Sequence, residues 1–221
     1  MSFTTTLRKE TNHLFDACYN HPFVQGIGKG ELSKGQLIHY VKQDFEYLNA
    51  MIQTRAYTMA KCTDREKMAL LNEGISFILA DETHPHHNFC HVAGVDYETL
   101  QGETLAPNAH HYSRYMLQVA QSGTLGEALA VALPCPWIYL DIGERLMNDV
   151  KPDESHPFYP WISFYGNLEM PSITKTLRWL DELAEDAGEA ECERMRQHFI
   201  NGCKMEYMFF DMAYTEQAWP V

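Results

Sequence analysis

One cysteine stands between two prolines, in Leu133-Pro134-Cys135-Pro136-Trp137-Ile138-Tyr139, inside a pattern that reads as helix on both sides. Each proline removes an amide donor and crowds the carbonyl four residues back, at Ala130 and Ala132, so the helix must bend or open beside Cys135. Such a bend can present a thiol to a cavity, where it would serve as a nucleophile. Tyr139 lies one turn on and shares the face. The same residues also fit a buried, inert thiol in a kinked core helix, so both readings stay open.

Two carboxylates stand in similarly apolar company. Asp44 and Tyr47 lie three residues apart among Tyr40, Val41 and Leu48, which turns a carboxylate and a phenol the same way. A carboxylate there needs a donor. It could be an aspartate tying two helices together, or one that accepts hydrogen bonds from the exocyclic amine and ring nitrogen of a flat heterocycle. Glu206 sits in Met205-Glu206-Tyr207-Met208-Phe209-Phe210, too apolar a run for an ordinary solvent face. Desolvation there disfavours the ion and suits a general acid, whereas pairing with Lys204 would make it an edge residue. The stretch Glu82-Thr83-His84-Pro85-His86-His87-Asn88-Phe89-Cys90-His91 carries metal-ligand residue types, with Glu82 and His86, and His87 and His91, one helical turn apart. Metal binding needs three or four convergent ligands, Pro85 disturbs the helix, and no second such pair completes a di-iron site. A packing hydrogen bond between Glu82 and His86 is the expectation, and no metal ligand is assigned.

The elements that must position these groups read as helices throughout, and the fold class is all-α, a compact multi-helix bundle. A first helix is expected over 5–20, ending before His21-Pro22, with Gly26, Gly28 and Gly30 marking a loop. Ser33 with Gln36 forms a capping box that opens a long helix to about residue 62; Thr63 with Glu66 repeats the signature for a third helix running through the histidines to about residue 92. Residues 94–109 read as irregular. Helices follow over 110–122, from the Thr124 and Glu127 capping box to about 148, over 172–185 and over 190–216, with a proline-rich loop at 151–160 and a short segment at 161–165. About eight helices in one domain over 1–221 result.

Composition narrows the function. A net charge of −13, from 17 basic and 30 acidic residues, repels phosphate backbones and anionic membranes, so nucleic acid and membrane are not expected partners. No leader or stretch of about 18 uninterrupted apolar residues is visible, and the six cysteines lack the density of a disulfide framework, which predicts a cytoplasmic protein with reduced thiols.

The chain resembles the thiaminase II (TenA) family along nearly its whole length. The resemblance is carried by His21-Pro22-Phe23-Val24-Gln25-Gly26-Ile27-Gly28, by Tyr40-Val41-Lys42-Gln43-Asp44 with Tyr47-Leu48, by Leu133 to Tyr139 running on to Gly143-Glu144, and by Glu206-Tyr207 with Met212-Ala213-Tyr214. It implies a bundle similar to haem oxygenase, without haem or any other cofactor, and a homotetramer. It also implies hydrolysis of 4-amino-5-aminomethyl-2-methylpyrimidine to its hydroxymethyl counterpart in thiamine salvage, with thiamine itself a further substrate. Carried over residue by residue, Cys135 is the nucleophile, Glu206 the proton donor, and Tyr47 the phenol that acts on the thiol. Asp44 and Tyr139 hold the aminopyrimidine, Tyr112 stacks on it, and Tyr165 lines the pocket. The sequence departs from the compared relative at Met170, where that relative has an aromatic residue. Two rivals remain: a metal-dependent helical oxygenase using Glu82, His86, His87 and His91, and a non-catalytic pyrimidine-binding regulator in which Cys135 is merely buried.

Overall fold

A computed structural model describes residues 1–80, 83–167 and 171–221, with Pro171 described by its backbone alone. The regular elements among them are all helical. They are α1 (Phe3–Glu10), α2 (Asn12–Tyr19), α3 (Pro22–Lys29), α4 (Lys34–Ala60), α5 (Arg65–Ala80), α6 (Thr83–Ala93), α7 (Pro107–Ser122), α8 (Leu125–Ala132), α9 (Pro134–Val150), α10 (Tyr159–Gly166), α11 (Pro171–Asp186) and α12 (Glu189–Thr215), with one 3-10 turn at Tyr97–Leu100.

The long helix α4 is the axis of the bundle and packs against α5, α6, α7, α8 and α12. Its buried face follows a three-and-four spacing through Tyr40, Asp44, Tyr47, Met51, Thr54 and Thr58, so polar groups at 44 and 47 face the interior by helix geometry alone. The second long helix, α12, packs on α4, α7, α8 and α9 and carries Phe199, Cys203, Glu206 and Phe210 inward. Buried apolar residues from across the bundle form one continuous cluster. The segment Leu125–Val150, α8 running into α9, is long and apolar enough to cross a membrane by composition, but 67% of its most apolar window is buried inside the fold, as in the core helix of a bundle.

The capping boxes at Ser33 with Gln36 and at Thr124 with Glu127 form as the spacing predicts. Several expectations need correction. The first helix divides at Thr11, whose hydroxyl bonds back to the Leu7 carbonyl at 2.7 Å. The glycine-rich stretch is not a loop: Gly26 and Gly28 lie inside α3, which His21 caps by accepting from the Phe23 amide, and only Gly30 takes the left-handed conformation that ends it. The cap of α5 is Asp64, accepting from the amides of Glu66 and Lys67, instead of Thr63. The expected third helix is two, α5 and α6, and the 94–109 stretch, expected to be irregular, contains a 3-10 turn and the start of α7. The described helices therefore exceed the eight expected, because short polar breaks divide segments whose apolar periodicity runs on.

Candidate active site

The α8–α9 junction brings Cys135 into the bundle. Leu133 keeps helical dihedrals (φ −71°, ψ −32°) while ending α8 and preceding Pro134, and the following hydrogen bond from the Trp137 amide to the Leu133 carbonyl is stretched to 3.4 Å. The proline pair thus bends the chain without breaking it. Helix α12 can cross this bend closely because residue 202 is glycine: a Cβ there would stand 2.6 Å from Cγ of Pro134. One turn beyond that approach, α12 delivers Glu206. Cys135 is 9% exposed and opens on an apolar cleft between α4, α5, α8, α9 and α11, whose wall includes Leu48, Met51, Arg55, Leu129 and Tyr165.

Glu206 is 2% exposed, and its Oε1 accepts from the Tyr112 hydroxyl at 2.7 Å and from the Tyr47 hydroxyl at 3.4 Å. Lys204, the cation of the edge reading, is exposed, so the glutamate is an interior group. The Tyr47 and Tyr112 rings meet at 4.9 Å between centroids, and Phe209 tilts against Tyr47 at 5.3 Å. Tyr47 also reaches the Met116 sulfur at 3.7 Å. Burial pushes the Tyr47 phenol well above its ordinary pKa, with further upward contributions from the Cys135 thiol, Tyr112 and Glu206. For Tyr112, burial comes first, then Glu206 and Cys135. These phenols therefore stay protonated and act as donors across the ordinary pH range.

Asp44 stands one turn before Tyr47 on the same face. Its Oδ2 meets Nε2 of His86 on α6 at 2.7 Å, while His86 Nδ1 faces the Tyr97 hydroxyl at 3.4 Å. Tyr139 and Tyr40 share a hydrogen bond of 2.7 Å between hydroxyls, and burial raises both phenols well above their usual range. Tyr139 lies 5.1 Å from the Tyr165 ring, a contact made possible by glycine at 143: a Cβ there would lie 2.5 Å from the Tyr165 carbonyl carbon. Helix α9 thus carries Cys135 and Tyr139 against α10.

All seven residues singled out by sequence are buried: Tyr47, Tyr112 and Glu206 bond directly, Tyr139 meets Tyr165 ring to ring, Cys135 and Tyr165 line one cleft, and Asp44 shares the Tyr47 face of α4. Sequence reasoning missed the partner of Asp44. It paired His86 with Glu82, which lies outside the described residues, as does Met170. The signal was present in α6, where His86, Phe89, Cys90 and Ala93 recur at helical spacing on the buried face. Among the described residues no three of His, Cys, Asp and Glu converge as metal ligands would.

Residues 8–216 match the model of the TENA/THI-4/PQQC family. The chain is 34% identical to the aminopyrimidine aminohydrolase of Halalkalibacterium halodurans over 221 residues, covering 99% of this chain and 98% of that one. Among solved structures it is similar to the TenA homologue protein from P. horikoshii OT3, with a TM-score of 0.81 at 24% identity, covering 97% and 99% of the two chains. It also superposes on heme oxygenase-1 from the cyanobacterium Synechocystis sp. PCC6803 with a TM-score of 0.60 at 16% identity, covering 98% and 94%, which places the bundle in the heme oxygenase-like fold.

Proposed function

The chain belongs to the TENA/THI-4/PQQC family, and from that premise we propose that it is an aminopyrimidine aminohydrolase. It cleaves the carbon–nitrogen bond at the exocyclic methylene of 4-amino-5-aminomethyl-2-methylpyrimidine, and that of thiamine, in thiamine salvage. The observation that carries this reading is the convergence of Glu206 and its two phenolic donors with the proline-bent segment that bears Cys135.

In this mechanism Asp44 accepts from the amine of the pyrimidine, Tyr139 hydrogen-bonds the substrate, and the Tyr112 and Tyr165 rings wall it. The aminopyrimidine is too weak an electrophile for thiolate addition until its ring nitrogen is protonated, and Glu206 supplies that proton. The Cys135 thiolate, assisted by Tyr47, then adds to a ring carbon. The electron pair released from the ring expels the leaving group from the methylene carbon: the amine leaves with the proton given up by the thiol, whereas thiamine's thiazolium leaves as the neutral thiazole and that proton passes to solvent. Water adds to the methylene, and the proton it loses restores the Cys135 thiol once the sulfur has left the ring. The thiolate departs, aromaticity returns, and the ring nitrogen gives its proton back to Glu206. The net change is water for amine, a balance that requires no redox cofactor. The apolar cleft beside Cys135 offers the leaving group a route out.

The full chain acts as one domain, in the cytoplasm, as a homotetramer. Exposed Tyr207, Met208 and Tyr214 on α12, with Trp219 beyond it, supply apolar surface of the kind buried between copies. Light scattering reads the assembly directly. The test of function is release of hydroxymethylpyrimidine from the aminomethyl compound and from thiamine, with Cys135→Ala as control. Turnover that disappears in the variant supports the reading. Tight pyrimidine binding without turnover would make the protein a pyrimidine-binding regulator.

A further inference from the structure

His86 is 1% exposed and lies between two oxygen-bearing side chains, with Nε2 2.7 Å from Oδ2 of Asp44 and Nδ1 3.4 Å from the Tyr97 hydroxyl. A neutral imidazole carries one N–H, and a carboxylate can only accept, so the tautomer that satisfies both contacts has its proton on Nε2. Tyr97 then donates to Nδ1, and every donor in the chain points toward Asp44. The Tyr40 ring lies 6.3 Å from the imidazole at 74°, and the Tyr97 ring 5.6 Å from it at 40°. Tyr40 in turn bonds Tyr139 at 2.7 Å, which links the imidazole's surroundings to the far wall of the site.

Asp44 is thereby divided. Its Oδ2 is committed to His86, while Oδ1 has no hydrogen bond from any described residue, although the side chain is only 9% exposed. That oxygen keeps its acceptor lone pairs for a ligand that enters the site. We infer that His86 is a positioning residue that fixes the Asp44 carboxylate by one oxygen so that the other accepts from the exocyclic amine of the pyrimidine, which makes the pair a selector for amino-bearing rings. This rests on the proposed aminopyrimidine function and adds the device that sets its ring preference.

The test is equilibrium binding, by titration calorimetry, of the hydroxymethyl product and of the same pyrimidine with its exocyclic amine replaced by hydrogen. In the unaltered protein the amino compound should bind roughly ten- to hundredfold more tightly, the scale of a hydrogen bond to a charged group. His86→Ala should shrink that ratio to within about threefold. His86→Gln, whose amide nitrogen can replace Nε2 as donor, should keep most of it; this rescue is what a role in packing alone does not give. The Gln variant and Tyr97→Phe, which should lower the ratio a few-fold, keep the test informative if His86→Ala fails to fold. An unchanged ratio in a folded His86→Ala, or a ratio lost equally in the Ala and Gln variants, overturns the inference. Asp44→Asn separates the two levels. A ratio abolished by Asp44→Asn but untouched by His86→Ala removes His86 alone, whereas a ratio that survives Asp44→Asn removes Asp44 as the amine's partner and the inference with it.

Discussion

Asp44 and Glu206 are both carboxylates buried in the middle of long helices, yet their surroundings differ in kind. Asp44 is met by an imidazole, a nitrogen donor held from behind by a second hydroxyl. Glu206 accepts from two phenols whose acidity burial suppresses, so these two donors remain neutral. A carboxylate locked to an aligned imidazole keeps its orientation and its acceptor character, which suits recognition. A carboxylate that accepts from neutral phenols can take up and release a proton without changing the charge of those donors, which suits acid–base work. Both sites carry a carboxylate, and what differs is the group that meets it.

The sharpest test of this division is to replace the thiol that the proposed mechanism makes the nucleophile. Cys135→Ser should fold and bind pyrimidine but lose turnover by roughly three orders of magnitude or more, since an alcohol is far less readily ionised than a thiol. Single-turnover product release measures this, and activity near that of the unaltered protein would end the account of cysteine catalysis. Next in size, Glu206→Gln keeps shape and hydrogen-bonding capacity but cannot transfer a proton, so kcat should fall about a hundredfold while affinity stays within about tenfold. Asp44→Asn should instead raise KM and lower kcat together, because it disturbs the substrate's anchor. If the two variants exchanged these patterns, the assignment of acid and anchor would have to be reversed.

The sequence made one of these sites far more legible than the other. Glu206 stood out as an interior candidate, beside its edge reading with Lys204, because its neighbours on α12 are apolar over more than a full turn, and Cys135 because two prolines within a helical pattern force a bend beside it. Those are local signals. The hydrogen bond of Asp44 to His86 joins residues 42 positions apart and depends on how α6 lies on α4, information that no window of sequence contains. The histidine-rich spacing drew attention to metal ligation, while the useful fact was which single histidine shares a face with Phe89 and Ala93. The misplaced boundaries have a similar cause. Asp64 captured the cap of α5 from Thr63, and Thr11 divided α1 from α2, through side-chain bonds to backbone that apolar periodicity does not register.

A third carboxylate sharpens the comparison by having no part in the chemistry. Glu127 is buried at the start of α8, where its Oε2 accepts from the Thr124 amide at 2.7 Å and its Oε1 from the Arg194 guanidinium. Burial works to raise its pKa, but the Thr124 amide and Arg194 outweigh it, and the net value lies below the ordinary carboxylate one. A carboxylate depressed in the folded state adds stability above its unfolded pKa and loses that contribution as pH falls through the folded value. Glu127→Gln retains a side chain suited to the capping box and removes only the charge. Because Arg194 is half exposed, the expected cost at neutral pH is at most about 1 kcal/mol, or roughly two to four degrees in Tm for a chain of this size. The gap between the unaltered protein and the variant should close as the pH drops below about 4.5, the ordinary glutamate value, and kcat at neutral pH should not change. Thermal melts across pH, paired with saturating-substrate rates, read both quantities. A gap that widened in acid would contradict the depressed pKa. A tenfold fall in kcat would show that the cap of α8 controls the bend at Cys135, so that burial beside a fixed cation does not confine a carboxylate in this bundle to a structural part.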